Sequence, residues 1–205
     1  MTHLKLWTLQ APEVWRALQE RGAYRCPASF AWEELRDPYA WLASEMTRRG
    51  NPPPEAGITM IWAYHHWAGP KRARPDMRYS GHAPRGEQVV MLELQVPTKE
   101  VLLSDLSAWH APLNGAYLAT SDENFDQFDE RLERHPEYAA RRHRPFLDRY
   151  PQELREEVLA SWQRIFDLDD HNDYYTSPPD QKCVQATFWE LRADMVVSAR
   201  AYTAK

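Results

Sequence analysis

The chain is poor in residues that several common chemistries require. Only 7 of its 205 residues are glycine, and none of them builds a G-x-G-x-x-G or G-x-x-x-x-G-K-[ST] loop. Phosphate cradles of the Rossmann and P-loop kind are therefore excluded. The two cysteines, Cys26 and Cys183, stand far apart. They form neither a disulfide framework nor a metal-spaced cluster, which suits a reducing compartment. There is no H-E-x-x-H and no G-x-S-x-G. No apolar run approaches the length of a membrane span, and the stretch from Met1 to Lys5 has no signal-peptide core. The expected setting is the cytoplasm, with no membrane partner. Positive charge is not in excess either: 25 Lys and Arg face 30 Asp and Glu, for a net charge of −5. That argues against a general nucleic-acid binder and leaves room for local basic segments.

What is abundant is proline, with 16 residues, and tryptophan, with 9. Prolines stiffen connections and end elements sharply. Tryptophans give the core large pieces whose N–H groups need partners. The length fits one domain spanning residues 1–205. Leu4–Gln10 reads as a strand, followed by a helix that starts at Pro12 and stops at Gly22. A second helix is predicted from Asp37, as cap, to Gly50. Ile58–Trp67 alternates as a strand, as does Gln88–Val96, with Val90, Leu92, Leu94 and Val96 on one face. Between them Gly69–Glu87 forms a long irregular connection. Helices are predicted over Asp122–Arg134, around Tyr138–Tyr150, and over Gln152–Phe166. Val184–Leu191 and Met195–Thr203 read as an antiparallel pair joined by a tight turn. The fold class is α+β, a single domain with a mixed or mostly antiparallel sheet and helices inserted between strands.

Four groups of residues carry candidate chemistry. His65 and His66, as neighbours in a strand, are expected to point to opposite faces, which prevents them from sharing one ion; no metal site is expected. The segment Lys71–Arg85 holds Lys71, Arg72, Arg74, Arg78, His82 and Arg85 among prolines and glycines. It is either a solvated surface loop or a place for the phosphates of a nucleotide or nucleic acid, since forked guanidinium donors match phosphate oxygens. Ser104, Asp105 and His110 place an acid, a hydroxyl and an imidazole close together. Helix capping by Ser104 or Asp105 accounts for much of that pattern, and nucleophilic chemistry is the competing account. Finally Val184–Leu191 places Gln185, Thr187 and Trp189 on one face and Glu190 on the other. Thr8 and Gln10 on the first strand show the same mixture of polar and large apolar neighbours. These polar groups either line a cleft or alternate toward solvent.

The chain resembles a bacterial family of unknown function. The resemblance rests on Leu6-Trp7-Thr8-Leu9-Gln10, Met60-Ile61-Trp62-Ala63-Tyr64, Leu102-Leu103-Ser104-Asp105 with Trp109-His110, Ser161-Trp162 with Ile165-Phe166, and Gln185-Ala186-Thr187-Phe188-Trp189. It is more distantly similar to ADP-ribosyltransferases. In those enzymes a first strand with an Arg or His for NAD precedes a helix ending near a glycine, and a late strand carries a Glu that orients the nicotinamide ribose. Here Thr8 stands where Arg or His is usual, and Gln185 where the Glu is usual. An amide can hydrogen-bond a ribose hydroxyl but brings no negative charge to an oxocarbenium-like transition state. The resemblance implies NAD as cofactor, with Thr8, Gln10, Tyr64 and Arg78 as binding residues. It implies Gln185 at the catalytic position, with activity lost or rearranged around Glu93, Asp105 or Glu190; a separate hydrolase reading takes Asp105 and His110 as its catalytic residues. The alternative is a non-catalytic module that holds a nucleic acid or protein partner through the Lys71–Arg85 loop and an aromatic groove.

Overall fold

The structure is a computed structural model that describes residues 2–205. In chain order the elements are β1 (His3–Gln10), α1 (Pro12–Arg21), β2 (Ala23–Tyr24), β3 (Cys26–Pro27), α2 (Arg36–Arg48), β4 (Ile58–Thr59) and β5 (Ile61–His66). They continue with β6 (Gln88–Pro97), β7 (Leu102–Asp105), α3 (Leu106–Leu113), α4 (Asp122–Arg134), α5 (Tyr138–Arg141), α6 (Gln152–Ser161), β8 (Val184–Phe188), β9 (Leu191–Arg192) and β10 (Val196–Thr203). The chain forms two compact units, one of residues 2–103 with 180–205 and the other of residues 104–179. The α+β class read from the sequence is what the structure has.

The first unit is built on a six-stranded sheet in the order β10-β6-β1-β5-β8-β7. Four of its five neighbouring pairs, from β10 to β8, are antiparallel. One face carries Leu6, Leu92, Leu94, Val96, Ile61, Ala63, Ala186 and Phe188, all buried, with Trp15 and Leu18 of α1 packed on them. The period-two alternation of β1 and β6 puts these residues on that face, and burial of each large side chain is worth about 1.5–3 kcal/mol. Helix α1 ends where the sequence said it would: Gly22 takes the left-handed conformation, φ 77°, and its N–H bonds the Leu18 carbonyl.

Three local expectations are corrected. Asp37 does not cap α2, because Leu35 holds that position and Asp37 lies in the first turn, where its charge favours the helix dipole. The strand expected over residues 58–67 is interrupted at Met60 and bulged between Tyr64 and His66. Most consequentially, β8 and β10 are not a hairpin. β8 pairs with β5 and β10 pairs with β6, which places three strands between them. The intervening β9 pairs instead with β2, Tyr24 opposite Leu191.

In the second unit, Ser121 caps α4 through a bond from Asn124 N. Trp162 Nε1 donates to the Ala116 carbonyl at 2.6 Å, Tyr150 donates to the Gly115 carbonyl at 3.0 Å, and Ser161 Oγ accepts from Leu118 N at 3.0 Å. These bonds satisfy the backbone of the 115–118 segment, and Tyr117 and Phe128 stack at 4.1 Å beside them. Among the described residues no helix is long and apolar enough to cross a membrane.

The long connection after β5 starts at Gly69, whose φ of 81° and crowded surroundings admit no side chain. A Cβ there would lie 1.8 Å from the Asp180 carbonyl oxygen. Its N–H bonds the Lys182 carbonyl at 3.1 Å, fixing the base of the 69–87 segment to the strand that becomes β8. Gly69→Ala is expected to destabilise the protein by about 2–4 kcal/mol, from the strained backbone together with the displaced carbonyl. Chemical denaturation of the two proteins measures this; equal midpoints would contradict the packing described.

Candidate functional site

The register of the sheet gathers residues from four distant parts of the chain into one row. Trp7 on β1 faces Glu93 on β6 and Tyr64 on β5, and Tyr64 faces Gln185 on β8. Opposed residues in antiparallel strands share a face, so this row lies opposite the α1-covered core face. Trp62 and Thr187 form the next row on the same face. The face is deeply enclosed: Trp7 is 7% exposed, Gln185 4% and Thr187 0%. Thr187 Oγ1 donates to the Leu102 carbonyl at 3.3 Å. The buried indole N–H of Trp7 has no hydrogen-bond partner among the described residues. Lys5, two residues away on the same face, pairs with Glu93 at 3.0 Å and sits 6.0 Å from the Trp7 ring centre.

The expected site residues separate accordingly. Tyr64 and Gln185 are cross-strand neighbours. Thr8 and Gln10 belong to the opposite face, where Thr8 Oγ1 donates to the Trp62 carbonyl at 2.7 Å and accepts from Gln10 Nε2 at 2.6 Å. That hydroxyl has its single proton committed to the Trp62 carbonyl. Glu190 accepts from Arg25 Nε at 2.8 Å and lies 3.6 Å from Arg192 Nη1, in an ion network that continues to Glu55 and Glu100. Asp105 and His110 lie in the second unit. Asp105 Oδ1 accepts from the backbone N–H groups of Ser107 and Ala108 at 2.8 and 3.3 Å, and Oδ2 accepts from the Thr176 hydroxyl. His110 is exposed, and its Nδ1 faces the Leu106 and Ser107 carbonyls of its own helix at 3.0 and 3.2 Å. The capping role anticipated for Asp105 is thus realised in detail.

Tyr64 opens onto a second feature that the sequence had shown only as scattered aromatics. Its ring packs edge-on against Trp67 at 5.1 Å and lies 6.3 Å from His82. Trp67, Tyr79 and His82 complete a mutual cluster with centroids 5.0–5.4 Å apart. Burial pushes the Tyr64 phenol up to about 12, with Cys183 and Tyr79 adding to the effect. The missed signal was the placement of Tyr79 and His82 inside the basic segment, where ring faces and cations alternate. Trp67 also lines a cleft of about 500 Å³ together with Lys71, Arg72, Arg74, Arg78 and Tyr202. Arg78 holds Asp76 in a fork, Nε–Oδ1 2.9 Å and Nη2–Oδ2 2.7 Å, which keeps Asp76 far below the usual carboxylate range. Three of the five guanidinium N–H donors remain for a ligand.

His65 and His66 depart from the expectation that they point to opposite faces. At the bulge two residues oppose one on the partner strand, and their rings stack at 4.2 Å with planes 21° apart. Among the described residues no group of three or more His, Cys, Asp and Glu is gathered as metal ligands would be. Burial, reinforced by the neighbouring His65, holds the His66 pKa below its ordinary 6.5.

The family described as Domain of unknown function (DUF3841) matches residues 5–197, and the chain belongs to it. No curated protein and no solved structure matches the chain.

Two measurements follow from this geometry. Asp105→Ala is expected to cost about 1–3 kcal/mol through the lost cap and the stranded Thr176 hydroxyl, while His110→Ala stays within about 0.5 kcal/mol of the parent. A comparable loss for both would revive a joint role for the two residues. In addition, the unfolded chain protonates His66 at higher pH than the folded one, so stability is intact above pH 6.5 and is lost as pH falls below it. Thermal melts of His66→Gln should show a shallower acid decline than the parent; parallel declines would exclude His66 as the cause.

Proposed function

We propose that this DUF3841 protein is an ADP-ribosyltransferase-like enzyme that binds NAD at the partly open Tyr64 end of the Trp7–Tyr64–Gln185 row and acts on a macromolecule. The observation that carries the reading is the register. The first strand and the late strand that the resemblance singles out both border β5, and position 185 lies directly across from Tyr64. The buried Trp7 N–H, without an acceptor among the described residues, supports it: such donors in folded proteins are nearly always satisfied, and a bound dinucleotide offers many oxygens. The aromatic corner of Tyr64, Trp67, Tyr79 and His82 adds ring faces suited to a base or a nicotinamide.

The roles divide by chemistry. Gln185 binds a ribose hydroxyl through its amide and contributes orientation without charge. Tyr64, held neutral by its surroundings, donates a phenolic proton and supplies a wall. The carboxylate on this face is Glu93, opposite Trp7 and salt-bridged to Lys5. Glu190 is committed to Arg25 and Arg192 and serves structure. Thr8 and Gln10 hold β1 to β5. With an amide in place of the usual carboxylate, cleavage of the nicotinamide–ribose bond is expected to be slow.

NAD at about ten times its dissociation constant is expected to stabilise the fold by about 1.4 kcal/mol, raising Tm by about 3–6 °C. Nicotinamide release is expected to be slow in the parent and about tenfold faster or more in Gln185→Glu, where a carboxylate can stabilise the developing cation. Millimolar NAD that shifts no melting curve and yields no nicotinamide, with cell extract present, would remove this reading.

A further inference from the structure

We propose that the surface formed by the 69–87 segment and the end of β10 is a binding track for single-stranded nucleic acid. Its designation as the macromolecular substrate rests on the enzymatic reading above; the binding itself does not. The surface carries two concavities whose lining residues adjoin in sequence. The first is the cleft of about 500 Å³ lined by Trp67, Lys71, Arg72, Arg74, Arg78 and Tyr202. The second, of about 740 Å³, is lined by Ser80, Arg85, Gly86, Thr203 and Lys205. The residues are sequential across the divide: Arg78 and Tyr202 face the first, Ser80 and Thr203 the second. The end of the segment is tied to the chain after β10 by Gly86 N to the Ala204 carbonyl at 3.0 Å and by Ala204 N to the Glu87 carbonyl at 2.8 Å.

Charge and rings together select the occupant. The protein carries a net charge of −5, yet the 69–87 segment has five cationic side chains against two acidic ones, and one of those acids, Asp76, is neutralised by Arg78. A polyanion is drawn to such a local patch against the overall field. Aromatic rings stand among these cations. Tyr79 is 55% exposed and packs on Trp67 at 5.4 Å. Tyr202 accepts a bond from Arg74 Nη2 at 2.6 Å and lies 5.4 Å from the Arg200 guanidinium. Alternating guanidinium groups and ring faces suit a chain that alternates phosphates and unpaired bases. An acidic peptide uses the cations but leaves the rings idle, and a duplex hides its base faces from them. The track also offers no helix or two-stranded ribbon of the kind that enters a major groove.

The test is fluorescence anisotropy with a labelled oligothymidylate and an oligouridylate, each of about twelve nucleotides, a length within the range of known single-strand sites. The parent protein is expected to bind, with log K falling against log salt with a slope of about −2 to −3, from three or four neutralised phosphates. Joint replacement of Lys71, Arg72, Arg74 and Arg78 by Ala should weaken binding tenfold or more and flatten that slope. Tyr79→Ala should weaken it about tenfold and leave the slope unchanged, the mark of lost stacking without lost charge. Circular dichroism and thermal melts confirm that each variant is folded. The proposal is overturned by absence of binding up to about 100 µM, the weak end of non-specific association. It is equally overturned by unchanged affinity in both variants, by a duplex binding as tightly, or by a polyglutamate peptide competing as well as the oligonucleotide. NAD melting shifts recorded on the same proteins separate the two readings: oligonucleotide binding without an NAD response retains the track and discards the enzyme.

Discussion

Everything positioned in the first unit depends on the register of β1 between β5 and β6. Side chains alternate across a strand, so this single alignment decides that Leu6 enters the α1-covered core while Trp7 enters the opposite face. A slip by one residue exchanges the two sets along the whole strand. It would turn the Lys5 ammonium into the apolar layer, away from Glu93, where burying an unpaired charge is costly, and turn Leu6 away from Leu94. Thr8 adds a lock, because its hydroxyl reaches the Trp62 carbonyl only in the observed alignment.

Strands buried on both faces have to tolerate polar side chains in the interior, and β1, β5 and β8 assign them distinct duties. Thr187 and Thr8 spend their hydroxyls on neighbouring carbonyls and stitch strands together. Gln185 and Tyr64 sit side by side on the other face, with the Trp7 N–H beside them. The buried Thr8 is thereby a fastener, and the Tyr64 side of the sheet carries the Trp7 indole N–H, which has no hydrogen-bond partner among the described residues. The basic cleft begins where this side ends, at Trp67, which belongs both to the aromatic corner and to the cleft wall.

Features governed by neighbours in sequence were legible in advance. The Gly22 stop, the Asp105 cap, the Asp122–Arg134 helix and the inward face of β6 each follow from local geometry or period. Pairing between distant strands was not. β8 and β10 look like a hairpin because three residues lie between Leu191 and Met195, but Leu191–Arg192 is drawn to Ala23–Tyr24, and the chain is carried to the far edge of the sheet. The bulge at His65 was equally hidden, since one extra residue leaves no trace in an alternation pattern while reversing which side the next ring occupies. For the candidate site, Tyr64 and Gln185 were read correctly as members of polar-bearing strands, yet their adjacency arises only from the sheet order. The separation of Thr8 from them is the simple outcome of a one-residue offset from Trp7.

The position of β10 has a consequence for the protein in bulk. It ends the sheet, and from Val197 to Ala201 every residue is exposed. Such a ribbon presents an open line of backbone donors and acceptors on which another chain can template itself. Within Val196–Thr203 the only charge is Arg200. That guanidinium stands where edge strands place the charges that oppose intermolecular sheet pairing.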